Sequence, residues 1–120
     1  MLASFSVVPL GTTGGVKKLV AEALKIVDAS DLDYELGAMQ TTVEGDADRV
    51  MATILACHRR MLELAPRVLT HIAIDERTGA TGRLAGKVRD VEEVLGKRLR
   101  RSQPPESEAP KSGAGKMKPR

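Results

Sequence analysis

Five polar side chains, Ser6, Gln40, Thr42, Glu44 and His71, share a phase that could turn them toward one small polar ligand. In "SFSVV", Ser4, Ser6 and Val8 alternate with Phe5 and Val7, and in "QTTVEG", Gln40, Thr42 and Glu44 alternate with Val43. In "RVLTHIAIDER", Leu69, His71, Ala73 and Asp75 alternate with Val68, Thr70, Ile72 and Ile74. A period of two places each set on one side of a strand. Hydroxyls and a carboxamide offer both donors and acceptors. Glu44 is the most demanding member, because a carboxylate turned inward requires a partner or a cationic ligand. His71 either contacts a ligand or sits hydrogen-bonded in an interface, and Asp75 and Arg77 fix a turn or an intersubunit ion pair.

Other chemistries find less support. "LGTTGGVKK" joins a strand-like run to a helix-like run, as a phosphate loop would, but it matches neither G-x-x-x-x-G-K-[ST] nor G-x-G-x-x-G. It reads as a corner between two elements. Glu44, Asp46 and Asp48 lie close in sequence, yet no motif specifies octahedral oxygen ligands, and Asp46 suits a helix N-cap. His58 and His71 come from different elements and lack metal-ligand spacing. No nucleophile–histidine–acid arrangement can be assembled from the spacing. Cys57 is the sole cysteine and falls in the apolar phase of a helix, so neither a disulfide nor a thiolate cluster is expected. No metal, cofactor or catalytic residue is assigned.

The elements that must hold these residues follow from periodicity. Residues 3–9 form a strand, and Val16, Leu19, Val20, Ala23, Leu24 and Val27 mark an amphipathic helix. "DASDLD" ends that helix. "YELGAM" is a short strand that Gly37 interrupts or bulges, and "QTTVEG" is the next strand. After Asp46, a second helix buries Val50, Ile54, Cys57 and Met61, and Pro66 precedes the fourth strand. From about Leu84 to Leu99, a last helix gathers Val88, Val91, Val94, Leu95 and Leu99 on one broad side. The order strand–helix–strand–strand–helix–strand predicts an α+β, ferredoxin-like βαββαβ sandwich with an additional C-terminal helix. Both crossover helices cover one sheet face; the other meets water, a ligand or another subunit. Its apolar members, Val8, Leu69 and Ala73, point to sheet-to-sheet pairing.

Composition bounds the function further. The 120 residues contain one Phe, one Tyr and no Trp, so Val, Leu, Ile, Ala and Met must fill a small core. The formal charge of +3 is unevenly spread: residues 1–95 carry a net −3 and residues 96–120 a net +6. A nucleic-acid interface would rest on the tail alone, so no specific nucleic-acid partner is expected. The expected division is a ferredoxin-like domain over residues 1–100 and a disordered basic tail over 101–120. "MLASFSVVPLG" has neither a basic leader nor a membrane-spanning run, and the default expectation is a cytoplasmic protein without a membrane partner.

The ordered phrases "SFSVVPLG", "VAEALKIVDASDLDYELGAMQTTVEGD", "VLTHIAIDERTG" and "GKVRDVEEVL" resemble a family of small ferredoxin-like, thiamine-binding proteins, over about residues 3–97. The resemblance implies homodimers or homotetramers that pair through their sheets. It also implies binding of thiamine, or of its hydroxymethyl-pyrimidine portion, without catalysis. Ser6, Gln40, Thr42 and Glu44 could answer the donors and acceptors of an aminopyrimidine, and a net-acidic site would favour the thiazolium cation. The chain departs from the family pattern at two places. Gly15-Val16-Lys17 stands where a Ser-Val-Ser-like start of the first helix is usual, and Met39-Gln40-Thr41 stands where Met-Gly-Thr is common. A structural or regulatory oligomer with no small ligand, and a small enzyme using His71 and Glu44, are the alternatives.

Overall fold

The computed structural model describes residues 1–100; the expected basic tail lies outside the described residues. The elements are β1 (Leu2–Leu10), α1 (Lys17–Ala29), β2 (Asp33–Leu36), β3 (Thr41–Glu44), α2 (Ala47–Leu64), β4 (Arg67–Asp75) and α3 (Arg83–Leu95). The four strands form one antiparallel sheet in the order β2-β3-β1-β4, the ferredoxin-like arrangement expected from the element order.

One face of the sheet and the inner stripes of α1 and α2 enclose the core. Ala3, Phe5 and Val43 from the strands meet Ala23 and Val27 from α1 and Val50, Ile54, Cys57 and Met61 from α2. The four α2 residues follow the helical repeat that the sequence shows. Asp46 caps α2: its Oδ2 accepts from the Arg49 N–H at 3.2 Å, satisfying one of the orphan donors of the first turn. The Cys57 thiol donates to the Ala23 carbonyl at 3.3 Å, tying α2 to α1. Its burial pushes the thiol up to about 11.

Three features differ from the sequence reading. β2 ends at Leu36 rather than running through "GAM", because Gly37 opens the turn to β3. The Gly37 N–H donates to the Gln40 carbonyl at 2.9 Å, and a Cβ on Gly37 would stand 2.7 Å from that same oxygen. α3 stops at Leu95, short of Leu99, because Gly96 takes a left-handed conformation (φ 73°) and its N–H returns to the Glu92 carbonyl. The third difference is burial. Ile72 and Ile74 keep the helix-side phase but are 42% and 50% exposed, since β4 is an outer strand that α2 only partly overhangs.

α3 lies against β3 and β2 on the face opposite α1 and α2. Half of the face expected to be open is therefore occupied by the chain itself. The uncovered half belongs to β1 and β4.

Candidate functional site

The registers fix how the candidate side chains meet. β1 and β3 align Leu2 with Glu44 and Ser4 with Thr42; β1 and β4 align Leu2 with Asp75, Ser4 with Ala73 and Ser6 with His71. β2 adds Glu35 beside Thr42 and Asp33 beside Glu44. The open face is thus a ladder of rungs. One holds His71 and Ser6, the next Ala73, Ser4, Thr42 and Glu35, and the third Asp75, Leu2, Glu44 and Asp33. Neighbours within a rung stand roughly 5 Å apart at Cβ, and rungs are about 7 Å apart along the strand.

The ladder has a gap. β1 pairs with β4 from Leu2 to Leu10, but with β3 only from Leu2 to Phe5. Beyond Phe5, the β3-facing edge of β1 has no strand partner. Gln40 lies one step past the Phe5–Thr41 pair, so continuation of the register sets it beside Ser6. A cleft of about 230 Å³ fills this gap. Ser6, Val8 and Gln40 line it together with Val20 and Leu24 of α1 and Met39 of the β2–β3 turn. The Met39 side chain stands at the rim, 88% exposed. The cleft therefore combines apolar walls, a hydroxyl, a carboxamide and a strand edge.

The five candidates separate into groups. Ser6 and Gln40 share the cleft, and His71 flanks Ser6 on its other side. Thr42 is half-buried on the next rung. Glu44 lies two rungs from Gln40, and its carboxylate already has partners. Oε2 accepts from the Arg83 N–H at 2.7 Å and Oε1 from the Leu84 N–H at 3.0 Å. A half-buried carboxylate is thereby satisfied by the first turn of α3, where the helix dipole favours negative charge. Sequence reasoning asked for a partner to Glu44; the structure supplies a helix rather than a cation.

Charge gathers around that helix start. A pocket of about 100 Å³ is bounded by Glu44, Asp75, Glu76, Arg77, Arg83 and Lys87. The Lys87 ammonium pairs with Asp75 and holds its carboxyl below the usual value. Arg83 pairs with Asp90 at 2.8 Å, with the same effect on that carboxyl. Among the described residues, no three His, Cys, Asp or Glu side chains come together to hold a metal ion. No helix there is long and apolar enough to cross a membrane.

The wall contributed by α1 and the 37–40 turn was missed at the sequence level. The signals were present in Gly37, which needs space beside Gln40, and in the exposed Met39, but their convergence on Ser6 depends on the register.

Comparison with known proteins adds an independent finding. Residues 3–92 match the family model described as thiamine-binding protein. A UPF0045 protein of Mycobacterium tuberculosis is 40% identical over 96 residues, covering 79% of this chain and 94% of the relative. The crystal structure of a hypothetical protein from Methanocaldococcus jannaschii superposes with a TM-score of 0.71 at 32% identity, covering 77% of this chain and 95% of that one. A Thermotoga maritima protein, described provisionally as one of thiamine biosynthesis or salvage, gives a TM-score of 0.65 at 26% identity, over 75% of this chain and 96% of that one.

Proposed function

Because the chain belongs to the thiamine-binding protein family, we propose that it binds thiamine or a related hydroxymethyl-pyrimidine without catalysing a reaction, as a homo-oligomer. The observation that carries this reading is the gap beside β1. There, Ser6 and Gln40 flank an unpaired strand edge inside an apolar-walled cleft of about 230 Å³. An aminopyrimidine presents a planar row of donors and acceptors. A strand edge plus a hydroxyl and a carboxamide can match such a row, while Val20, Leu24 and Met39 cover the ring faces. The volume lies below the ~300–1,000 Å³ range of drug-sized pockets, which favours one ring as the anchored part. Thr42 follows Thr41 of the cleft wall in β3, and His71 pairs with Ser6 across β1 and β4. Glu44 is held by the first turn of α3 and stands apart from the cleft, so the reading does not draw on its charge.

The test is thermal unfolding in the presence of thiamine and of hydroxymethyl-pyrimidine. A specific site gives a saturable rise in Tm, corresponding to about 2.7 kcal/mol at a hundredfold excess over Kd. The rise disappears in Gln40→Ala and falls in Ser6→Ala and Thr42→Val. Absence of any shift with both compounds in the parent chain sinks the reading.

The exposure of Val8 (39%) and Leu69 (45%) on the uncovered half of the face supports self-association there. Pairing of two such faces would bury them between subunits.

A further inference from the structure

The backbone of Val7 is left bare inside the cleft, and we propose that its N–H and C=O bind the ligand directly, pairing with a ring nitrogen and the amino group beside it. This inference rests on the cleft being an aminopyrimidine site. In an antiparallel ladder the amide and carbonyl of one residue address the same neighbouring strand, and successive residues alternate between neighbours. Three observations set that phase for β1. The Gly45 N–H donates to the Met1 carbonyl at 3.1 Å, one step before the Leu2–Glu44 pair, so Met1 turns toward β3. The Gly37 N–H donates to the Gln40 carbonyl at 2.9 Å. Gln40 thus turns toward β2, and Thr41, the partner of Phe5, toward β1. Pro9 lies opposite Val68 with no N–H to give, which suits a position turned away from β4. Residues 1, 3, 5, 7 and 9 therefore all address the β3 side, and the bonds to β4 come from the even-numbered residues.

Val7 is the first residue of this phase beyond the last β1–β3 pair, Phe5–Thr41. Continuing the register would set residue 39 opposite, but β3 begins only at Thr41 and Met39 belongs to the turn. Among the described residues nothing bonds the Val7 N–H or C=O on that side. Val7 is half-buried and lines the cleft of about 230 Å³ together with Ser6 and Gln40. A donor and an acceptor this sheltered are costly to leave without partners. Within the sheet they would be met by the C=O and N–H of an opposing residue. A flat ring with an acceptor nitrogen next to an amino group carries the same couple on adjacent atoms. Pro9, the next residue along this edge, offers a carbonyl alone, so a paired contact is confined to Val7.

Amide exchange of the full chain, followed by NMR, tests the phase and the contact together. Without ligand, the Val7 amide exchanges fast while those of Ser6 and Val8, bonded to β4, are protected. Saturating hydroxymethyl-pyrimidine slows exchange at Val7 and leaves Ser6 and Val8 as they were. Calorimetric titration adds the chemistry. The analogue lacking the ring amino group binds roughly tenfold more weakly, as loss of one sheltered hydrogen bond requires. Val7→Pro removes the N–H without touching the β4 ladder, and loses more affinity than Val7→Ala, which trims the side chain and keeps the N–H. A Val7 amide that is protected in the free chain, or that stays fast under saturating ligand, overturns the inference. So does equal affinity of Val7→Pro and Val7→Ala, or of the analogue and its parent. With a saturable Tm shift, any of these results leaves the aminopyrimidine site standing and removes only the Val7 contact. No binding of either hydroxymethyl-pyrimidine or thiamine removes both.

Discussion

Glu44 and Cys57 show how single groups take roles that their residue types leave open. Glu44→Ala removes both acceptors from the start of α3 and should lower stability by about 0.5–2 kcal/mol, as loss of a helix cap does. Glu44→Gln, which keeps one acceptor oxygen, should cost less; urea titration of the three proteins checks the order. Cys57 is held protonated by burial, with its thiol pushed up to about 11. A thiol raised in the folded state contributes stability that is complete below its ordinary value and is lost as pH rises through the folded one. Melting temperature should therefore fall on the alkaline side, and less in Cys57→Ala measured against its own neutral value. Native protein should leave a thiol reagent unreacted until denaturant is added. Glu22, beside Lys25 and Arg60, and Asp75, beside Lys87, have carboxyls held below the usual value. Their contribution is present above the ordinary carboxylate range and disappears as pH falls through the lowered values, so acid should loosen the α1–α2 and β4–α3 contacts.

Among the elements, the β2–β3 turn is the most sensitive to a small change. Gly37→Ala puts a methyl 2.7 Å from the Gln40 carbonyl oxygen, so the turn must open. Because that turn forms one wall of the cleft, the substitution should weaken ligand-induced stabilisation as well as lower Tm by several degrees, a size expected of about 1 kcal/mol in a domain this small. The elements also show which information the sequence carried. The α2 stripe of Val50, Ile54, Cys57 and Met61 and the Asp46 cap were legible because a long helix repeats its pattern and its cap lies next to it. The phase of β4 was equally legible, yet the exposure of Ile72 and Ile74 was not. One strand's alternation does not reveal whether a neighbour lies on its far side. Gln40 and Ser6 shared a phase in the sequence, but their meeting required the β1–β3 register. The partner of Glu44 was invisible for a related reason, since Arg83 and Leu84 lie about forty residues downstream.

At the scale of the whole molecule, the sheet has one face under α1 and α2, half of the other under α3, and a remaining half that is apolar enough to seek cover. Leu69→Asp puts a charge in the middle of that half. It should convert any oligomer built on the face to a smaller species while leaving the fold intact, as read by light scattering and circular dichroism.

The attachment of α3 has a further consequence for how the molecule comes apart. α3 reaches the body through the Glu44 cap, the Lys87–Asp75 pair and contacts with β2 and β3, and Val94 and Leu95 are 87% and 56% exposed. The segment leading into it contains Gly79 and Gly82, both at positive φ. Such a unit opens at lower free energy than a core it barely enters. Amide exchange in α3 should therefore run ahead of exchange in α2, and limited proteolysis should cut first between residues 76 and 82. The sheet would remain protected after the cut, with the Glu44 carboxylate returned to water.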